Sequence, residues 1–275
     1  MELFFEVLKA ALLGIVQGIT EWLPVSSTGH MILLDEILSL KVSAEFMEMF
    51  RVVIQLGSIL AVLVLYFPRL SPVLTKKSPE EKKKCLSLWG KIILAVIPAG
   101  VAGVLLDDWL DAHLYNYITV AVTLIVYGVA FLVIERVQKN KTPLYAEADD
   151  IDAKTAIKIG CFQMLSLIPG TSRSGSTILG GMLSGVSRPA GAEFSFFLAL
   201  PVMLGASALK LLKFGFSFTG EELLILAVGT AVAFLVSLVA IRFLVAFVRR
   251  HSFAVFGWYR IALGAIVLGV NLIFG

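Results

Sequence analysis

Long apolar segments, each about the length of a membrane-spanning helix, follow one another along the chain and are separated by short polar stretches. A hydrocarbon core about 30 Å thick requires about 20 apolar residues per helix. Six segments are therefore predicted to span a membrane: 52–67, 91–107, 117–135, 194–213, 222–247 and 254–274. Two further apolar segments, 4–40 and 157–190, are interrupted by a proline and a run of Ser, Thr and Gly. Irregular backbone at membrane depth needs protein or a wet cavity to satisfy it, so each is predicted to be a re-entrant helical hairpin.

The composition agrees with this pattern. Hydrophobic residues make up 58% of the 275 residues and charged residues 16%, whereas soluble domains contain about 45–50% apolar and about 25% charged residues. The net charge of +3 is too small to indicate a nucleic-acid partner. The two cysteines, Cys85 and Cys161, form neither a metal-binding pattern nor an expected disulfide. We therefore expect an all-α integral membrane protein in which 1–275 forms a single membrane domain.

Basic residues are unevenly distributed among the polar stretches. Lys and Arg are concentrated in 68–91 and 136–156, whereas the acidic link around 107–113 contains neither. Two predicted spans separate the basic stretches, and cytoplasmic loops of membrane proteins are enriched in Lys and Arg. We therefore expect both basic stretches to be cytoplasmic loops, with the acidic link on the outside.

A set of features recurs in the same order in the two halves of the chain. The matching positions are Gly14, Gln17 and Pro24 with Gly160, Gln163 and Pro169, and Ala44–Phe46 and Leu56-Gly57 with Ala192–Phe194 and Leu204-Gly205. In the predicted topology the two halves, about 1–135 and 156–275, run in opposite directions. The chain is therefore interpreted as an inverted-topology repeat, which places a site where interrupted helices meet near the bilayer midplane. The alternative is chance similarity between two apolar, Gly-rich stretches.

Some polar and aromatic residues of the repeat are predicted to be structural. Glu45 and Glu193 occupy equivalent positions, and Arg51 or Arg188 is expected to pair with one of them. Trp22 is expected to anchor the chain at a membrane interface, as is the tryptophan at position 258, because tryptophan is enriched there.

The first interrupted segment concentrates polar chemistry within a short stretch of apolar sequence. Gln17 and Glu21 are four residues apart and share one face of a helix, which Pro24 interrupts. The polar side chains that follow are Ser26, Ser27, Thr28 and His30. Carboxylate, hydroxyl and imidazole groups are those that nucleophilic and acid–base chemistry requires, and ionisable groups in membrane segments indicate function. The alternative is that the hydroxyls only cap the next helix and His30 begins it.

The second interrupted segment supplies hydrogen-bond donors and one permanent positive charge. Arg173 is surrounded by hydroxyl side chains, namely Thr171, Ser172, Ser174, Ser176 and Thr177. Guanidinium donors suit phosphate geometry, Gly170 and Gly175 allow the backbone to approach a ligand, and a helix N-terminus favours anions. The segment is predicted to bind a phosphate-like anion, which in a bilayer would carry a lipid tail. The alternative is that Arg173 only neutralises Glu21.

Two stretches, QGITEWLPVSSTGHMIL at 17–33 and IPGTSRSGSTILGGML at 168–183, closely resemble the signature regions of the bacterial undecaprenyl-diphosphate phosphatase family, also known as bacitracin-resistance proteins. The resemblance extends to AEFSFFLALPVMLGA at 192–206 and to the C-terminal spans. It implies a multi-pass enzyme of the bacterial plasma membrane with an active site open to the extracytoplasmic side. Such an enzyme removes the terminal phosphate of undecaprenyl diphosphate and recycles the carrier lipid for peptidoglycan synthesis.

The resemblance also implies roles for individual residues. Its catalytic positions fall on Glu21, Ser27, His30 and Arg173, with either Ser27 or His30 as the nucleophile. Its substrate-binding positions fall on Gln17, Ser26, Thr28, Gly170, Ser172, Ser174 and Thr177. It further implies a divalent cation, Mg²⁺ or Ca²⁺, for which Glu21 is the candidate protein ligand, because Gln17 stands where family members carry a second carboxylate.

A second function competes with the phosphatase. Inverted repeats with broken helices are typical of transporters, so a polyprenyl-phosphate flippase or transporter that uses the same site is the alternative. The expected partners are the lipid diphosphate and the membrane, and a homodimer is compatible with the sequence.

Overall fold

The computed structural model describes residues 1–35, 38–73 and 77–274, and this part of the chain is helical throughout, with short connections. The first half contains six helices: α1 (Glu2–Thr20), α2 (Ser27–Asp35), α3 (Ala44–Val53), α4 (Gln55–Leu70), α5 (Pro79–Leu114) and α6 (Tyr117–Gln138). The second half contains five: α7 (Ala153–Met164), α8 (Arg173–Leu183), α9 (Arg188–Phe214), α10 (Gly220–Val248) and α11 (Ala254–Phe274). The expected all-α membrane fold is confirmed.

Six helical stretches of the described residues are long and apolar enough to cross a membrane: α1, α3 with α4, α5, α6, α9 and α10. The described apolar part of α11, Ala254–Val270, is shorter. One predicted boundary is wrong, because the expected loop at 68–91 is mostly helical. Ser78 and Glu81 form a capping box that starts α5 at Pro79, and such reciprocal bonds satisfy the free N–H groups of the first turn.

The two interrupted segments each form a pair of α-helices around a break, and the second break contains a short 3₁₀ helix at Leu165–Leu167. α1 ends at Thr20 and α2 begins at Ser27, whereas α7 ends at Met164 and α8 begins at Arg173. Helices α2, α7 and α8 have 9, 12 and 11 residues, and at 1.5 Å per residue such helices reach about 18 Å at most. These three helices are too short to cross a hydrocarbon core, whereas α1, with 19 residues, is long enough. The short helices are consistent with segments that turn back within the membrane.

Each hairpin packs against a helix of the other half at a glycine. A Cβ on Gly14 of α1 would lie 2.6 Å from the carbonyl oxygen of Gly229 on α10, and one on Gly160 of α7 would lie 2.2 Å from that of Ala95 on α5. Gly14 and Gly160 are equivalent in the repeat, so both halves use the same close backbone approach. Any larger residue at either position would separate the two helices.

The contacts also fix the directions in which the hairpins enter. Gly18 lies against Ala233 as Gly14 lies against Gly229, so α1 runs parallel to α10. In the same way, α7 runs parallel to α5, because Gly103 of α5 lies near Leu167, beyond the end of α7.

Helices α5 and α10 run in opposite directions. The Leu70 carbonyl at the end of α4 accepts bonds from Cys85 and Trp89 near the start of α5, so α4 and α5 are antiparallel. α9 is antiparallel to α4, because Glu193 near its start binds Arg69 at the end of α4, whereas Ser207 near its end binds Val52, just before α4 begins. The short turn after Gly215 then reverses the chain into α10. α10 is therefore parallel to α4, and the two hairpins enter from opposite ends of the bundle, as an inverted-topology repeat requires.

Ion pairs join the helices at one end of the bundle, which we call the basic end and which carries the connections 139–152 and 249–253 and the described residues 71–73 and 77–78 between α4 and α5. Arg69 Nη1 lies 2.6 Å from Glu193 Oε2. Arg188 binds Glu135 of α6, with 2.8 Å between Nε and Oε1. Neither Glu45 nor Glu193 is therefore the partner of Arg188, and the equivalent glutamates differ in their surroundings.

Candidate functional site

The breaks in the two hairpins share an uncommon backbone conformation. Ser26 and Ser172 have φ angles of 71° and 74°, and they are the non-glycine residues with positive φ in the described chain. Each precedes a short helix, and its hydroxyl accepts a bond from a glycine N–H three residues on, Gly29 at 3.3 Å and Gly175 at 3.1 Å. Left-handed conformations of such residues are strained and cluster at functional sites. The two serines therefore turn the backbone sharply in both hairpins, at the starts of α2 and α8.

A buried ion pair joins the two hairpins at these breaks. Arg173 Nη2 lies 2.9 Å from Glu21 Oε1, with side chains 9% and 6% exposed. Gln17 Nε2 donates to the other carboxylate oxygen, Oε2, at 2.8 Å. Glu21 therefore has a donor on each oxygen, and the predicted residues of the two halves meet as the repeat predicts.

Arg173 has further partners on α9 that the sequence did not indicate. Its Nη1 donates to the backbone oxygen of Ser195 at 2.6 Å and lies 3.1 Å from the Ser195 hydroxyl. That hydroxyl lies 2.8 Å from Thr177 Oγ1. Ser195 directly follows the Ala-Glu-Phe element of the repeat, and its polar side chain within an apolar helix is the signal that could have identified it.

The indole ring of Trp22 also faces the guanidinium, with Arg173 Cζ 5.8 Å from the ring. Trp22 is fully buried and packs edge-on against Phe196 at 5.2 Å. The expectation that Trp22 anchors the chain at a membrane interface is therefore wrong. An aromatic face stabilises a desolvated cation, so Trp22 instead supports Arg173.

A second buried arginine, also missed from the sequence, holds the two breaks together. Arg260 of α11 is 0% exposed, and its guanidinium donates to three backbone oxygens, those of Pro24 at 3.2 Å and of Gly170 and Thr171 at 2.9 Å each. These carbonyls come from both hairpins. Arg260 has no carboxylate partner among the described residues. A lone arginine in the last apolar span was the available signal.

The hydroxyls predicted to bind substrate differ in their partners. Ser174 Oγ donates to the Leu23 oxygen at 3.3 Å and lies 3.1 Å from Ser172 Oγ. Thr177 Oγ1 bonds to the Arg173 carbonyl oxygen at 2.9 Å, within its own helix. Ser26 is 1% exposed and caps α2. The structure thus gives Ser26 and Thr177 internal partners, while Ser172 and Ser174 form a pair at the start of α8.

The remaining predicted residues of the first hairpin lie in the first turn of α2. Ser27 and Thr28 are half-buried. His30 Nδ1 lies 2.7 Å from the Ser26 oxygen, and His30 Nε2 lies 2.6 Å from the hydroxyl of Tyr259. Since a carbonyl can only accept, Nδ1 carries a proton, and in the neutral imidazole Nε2 accepts from Tyr259. The lone pair on Nε2 is then engaged by the Tyr259 hydroxyl.

Gly170 shapes the second break. Its φ is 85°, and a Cβ added there would lie 2.2 Å from Thr123 Oγ1, which itself donates to the Pro169 oxygen at 2.7 Å. Glycine is required for both reasons, the left-handed backbone and the close approach of α6.

The charges of this cluster favour an anion. Among the described residues, Arg173 and Arg260 are buried here with the single carboxylate of Glu21. The N-termini of α2 and α8 begin at the same breaks, and helix N-termini carry partial positive charge. A phosphate group is the ligand that such an arrangement of fixed cation, hydroxyls and free N–H groups suits.

Comparisons with known proteins agree with this chemistry. Residues 10–266 match the family described as bacitracin resistance protein BacA. A protein named undecaprenyl-diphosphatase from Desulfitobacterium hafniense is 58% identical over 264 residues, 96% of this chain and 95% of that protein. Another of the same name from Enterococcus faecalis is 55% identical over 270 residues, 97% and 98% of the two chains. Undecaprenyl-diphosphatase 1 of Clostridioides difficile is 57% identical over 270 residues, 98% of each chain.

Proposed function

Because the chain belongs to the family of bacitracin resistance protein BacA, we propose that it hydrolyses undecaprenyl diphosphate to undecaprenyl phosphate and inorganic phosphate. This activity recycles the lipid carrier for peptidoglycan synthesis and confers bacitracin resistance. The observation that supports it best is the buried contact between Glu21 and Arg173, at 2.9 Å, where the two hairpins meet and where Arg260 adds a second buried positive charge. The test is release of phosphate from undecaprenyl diphosphate by the purified protein.

In the proposed mechanism, the second hairpin binds the diphosphate. Arg173 neutralises the charge that develops on the transferred phosphoryl group, and Ser172 and Ser174 at the start of α8 donate to its oxygens. Phosphoryl transfer depends mainly on positioning and on such electrostatic stabilisation. The apolar faces of the surrounding helices hold the polyprenyl tail, so chain-length preference between C15 and C55 substrates is weak.

Ser27 is the proposed nucleophile. Its hydroxyl is half-buried in the first turn of α2, whereas both ring nitrogens of His30 already have partners. Attack on the terminal phosphorus breaks its bond to the bridging oxygen and releases undecaprenyl phosphate, and water then hydrolyses the phosphoserine. The Glu21 carboxylate accepts the serine proton, or His30 Nε2 does so after its hydrogen bond to the Tyr259 hydroxyl breaks. Direct attack by His30 is the competing route. The acid stability of the trapped phosphoenzyme distinguishes the two, because phosphoserine is stable in acid and phosphohistidine is not.

The residues at the site do not form a divalent-cation site by themselves. No three His, Cys, Asp or Glu side chains lie together as a metal site in the part of the chain that the structure describes. Both oxygens of Glu21 already accept hydrogen bonds, from Arg173 and Gln17. Oxygen ligands are what Mg²⁺ and Ca²⁺ require, and these residues do not fit a cation held by the protein alone. No step is therefore assigned to Mg²⁺ or Ca²⁺.

The orientation proposed is that of a multi-pass plasma-membrane protein with its basic end in the cytoplasm. The positive-inside rule supports it, and the substrate then enters from the extracytoplasmic side. In a chain whose two cysteines are replaced by serine, single cysteines at Asn116 and at Lys141 test this orientation. An impermeant maleimide should label the first and spare the second in intact cells, and the reverse result contradicts the orientation.

Lipid translocation is the alternative function, and the entry of the two hairpins from opposite ends favours it, because alternating access uses inverted repeats. Vesicles that contain the protein and labelled undecaprenyl phosphate distinguish the two functions. Movement of label across the bilayer without hydrolysis of the diphosphate indicates a transporter. Whether a homodimer forms is measured separately, by sedimentation in detergent.

A further inference from the structure

A groove of about 830 Å³ lies at the basic end, between α4 and α10, away from the candidate catalytic site. Its wall is formed by apolar and aromatic side chains of both helices, chiefly Leu65, Tyr66, Phe243 and Phe247. The rim is cationic and carries Arg242, Arg249 and Arg250, with His251 beside them. The groove therefore combines an apolar surface at membrane depth with a positively charged end near the membrane surface.

Arg242 lies within the membrane-spanning helix α10 and not at its end. It is exposed, and it is the only charged residue of α10 after Glu222 and before the helix ends at Val248. Ionisable side chains in a membrane span are costly and indicate a function by default. Arg242 and Arg249 are seven residues apart, two helical turns, so they lie on the same face and are separated by about 10 Å along the helix axis.

The three arginines have no carboxylate partner among the described residues. Glu193 at the same end of the bundle is already bound by Arg69, at 2.6 Å. The groove thus has positive charge that the described part of the protein does not neutralise. A ligand that fits must supply negative charge at the rim and apolar groups along the wall.

We propose that this groove binds an anionic diacyl phospholipid of the surrounding membrane. The phosphate contacts Arg249 and Arg250, and Arg242 extends along the helix to the same headgroup, as long basic side chains near helix ends do. One acyl chain lies against Leu65 and Phe243. Basic pockets between helices near the membrane surface are suited to anionic headgroups, and the groove shares no residue with the candidate catalytic site, so its occupancy is independent of the proposed hydrolysis.

The test uses the full-length protein, exchanged from nanodiscs of phosphatidylglycerol and phosphatidylcholine in equal amounts into detergent, with retained lipid counted by native mass spectrometry. The wild type should retain phosphatidylglycerol in preference to phosphatidylcholine. In R249A/R250A that preference should fall about thirtyfold, because each arginine contributes about 1 kcal/mol near an anionic surface and every 1.4 kcal/mol corresponds to a factor of ten. The variant K83A/K84A, which removes the same charge from exposed side chains of α5, should behave as the wild type.

A single substitution, R242Q, provides a second measurement that leaves the connection between α10 and α11 unchanged, and it should also weaken retention. Equal retention of both phospholipids by the wild type overturns the proposal. So does an equal loss in R249A/R250A and K83A/K84A, because the effect would then reflect total charge. Preferential retention of added undecaprenyl phosphate over phosphatidylglycerol overturns the assignment of the occupant. Phosphate release by R249A/R250A should match the wild type, so a failure of this proposal is distinguishable from a failure of the proposed hydrolysis.

Discussion

Glu21 and Arg173 belong to different hairpins, yet their side chains form an ion pair of 2.9 Å in which both groups are largely buried. Removing one partner of a buried pair leaves an unpaired charge, which costs about 3–5 kcal/mol. Arg173 of this pair is also the cation that the proposed chemistry needs. Structure and proposed activity therefore depend on the same contact, and variants at these positions must be measured for both.

Replacing Arg173 by lysine separates the effect of its positive charge from the effect of its planar guanidinium. Lysine keeps the positive charge but lacks the planar fork, so it cannot contact Glu21, Ser195 and a phosphate at the same time. We expect R173K to lose phosphate release by about a hundredfold, the scale of losing one donor to a developing charge, while its thermal unfolding in detergent changes little. Full activity in both R173K and E21A would contradict the site.

Ser195 is expected to position Arg173 without touching the substrate. In S195A the backbone oxygen still accepts from Arg173 at 2.6 Å, but the hydroxyl contact at 3.1 Å is lost. A hydrogen bond to a charged group contributes about 1.5–3 kcal/mol, so kcat should fall about tenfold with a smaller change in KM. The matched control is S237A, which removes another buried serine hydroxyl, one bonded to the Gly18 oxygen. If S195A and S237A have the same kcat, Ser195 has no positioning role.

We expect Arg260 to stabilise the fold, and to affect phosphate release only through that stability. The substitution R260M keeps much of the length but leaves the oxygens of Pro24, Gly170 and Thr171 without their donor. Each buried acceptor left unsatisfied costs about 1–3 kcal/mol. Thermal unfolding should shift to a clearly lower temperature in R260M and less in R260K, with phosphate release lost in parallel. An unchanged unfolding temperature in R260M would show that the breaks hold without it.

Two glycines give a matched pair of alanine substitutions. G170A places a side chain at φ 85° and 2.2 Å from Thr123 Oγ1, whereas a Cβ at Gly205 meets no atom within 4 Å. G170A should destabilise the protein by about 1–3 kcal/mol through backbone strain, with a further steric cost. G205A, inside α9, should be neutral or stabilise by about 0.5–1 kcal/mol. Chemical denaturation of both variants in detergent measures the difference, and equal effects would show that the break tolerates a side chain.

We expect Gln17 to prevent the protein from holding a divalent cation without substrate. Its amide donates to Glu21 Oε2 at 2.8 Å, and in Q17E that donor becomes a second carboxylate. Two neighbouring carboxylates repel each other unless a cation lies between them, so Q17E should bind Ca²⁺ measurably by calorimetry without substrate. Neither the wild type nor Q17A should do so. Ca²⁺ binding by the substrate-free wild type is the result that contradicts this prediction.

Much of the site followed from local sequence patterns. The spacing of Gln17 and Glu21 on one helix face, and the hydroxyls around Arg173, were sufficient to predict two polar hairpins that meet. The repeat of glycines at Gly14 and Gly160 agreed with the inverted packing. These signals are local, because helical periodicity and helix-breaking residues act over a few positions.

The residues that the sequence did not reveal act across the bundle. Ser195 and Arg260 come from helices far along the chain, and nothing near them in sequence indicates that their donors or acceptors would face the hairpins. Trp22 was assigned to the wrong environment for the same reason, since an aromatic residue in an apolar segment suits either an interface or a core.

By itself the sequence determined the membrane class and the two polar breaks, because hydrophobic length and helix-breaking residues dictate them, whereas α3 as a separate helix and the start of α5 at Pro79 came only with the structure. Only the tertiary structure decided which charges pair. Arg173 binds Glu21 and Ser195, Arg188 binds Glu135 and not either repeat glutamate, and Arg260 is left with backbone carbonyls. Hydrogen bonds and buried ion pairs depend on distances of a few ångströms. Such distances between helices are set when the helices pack.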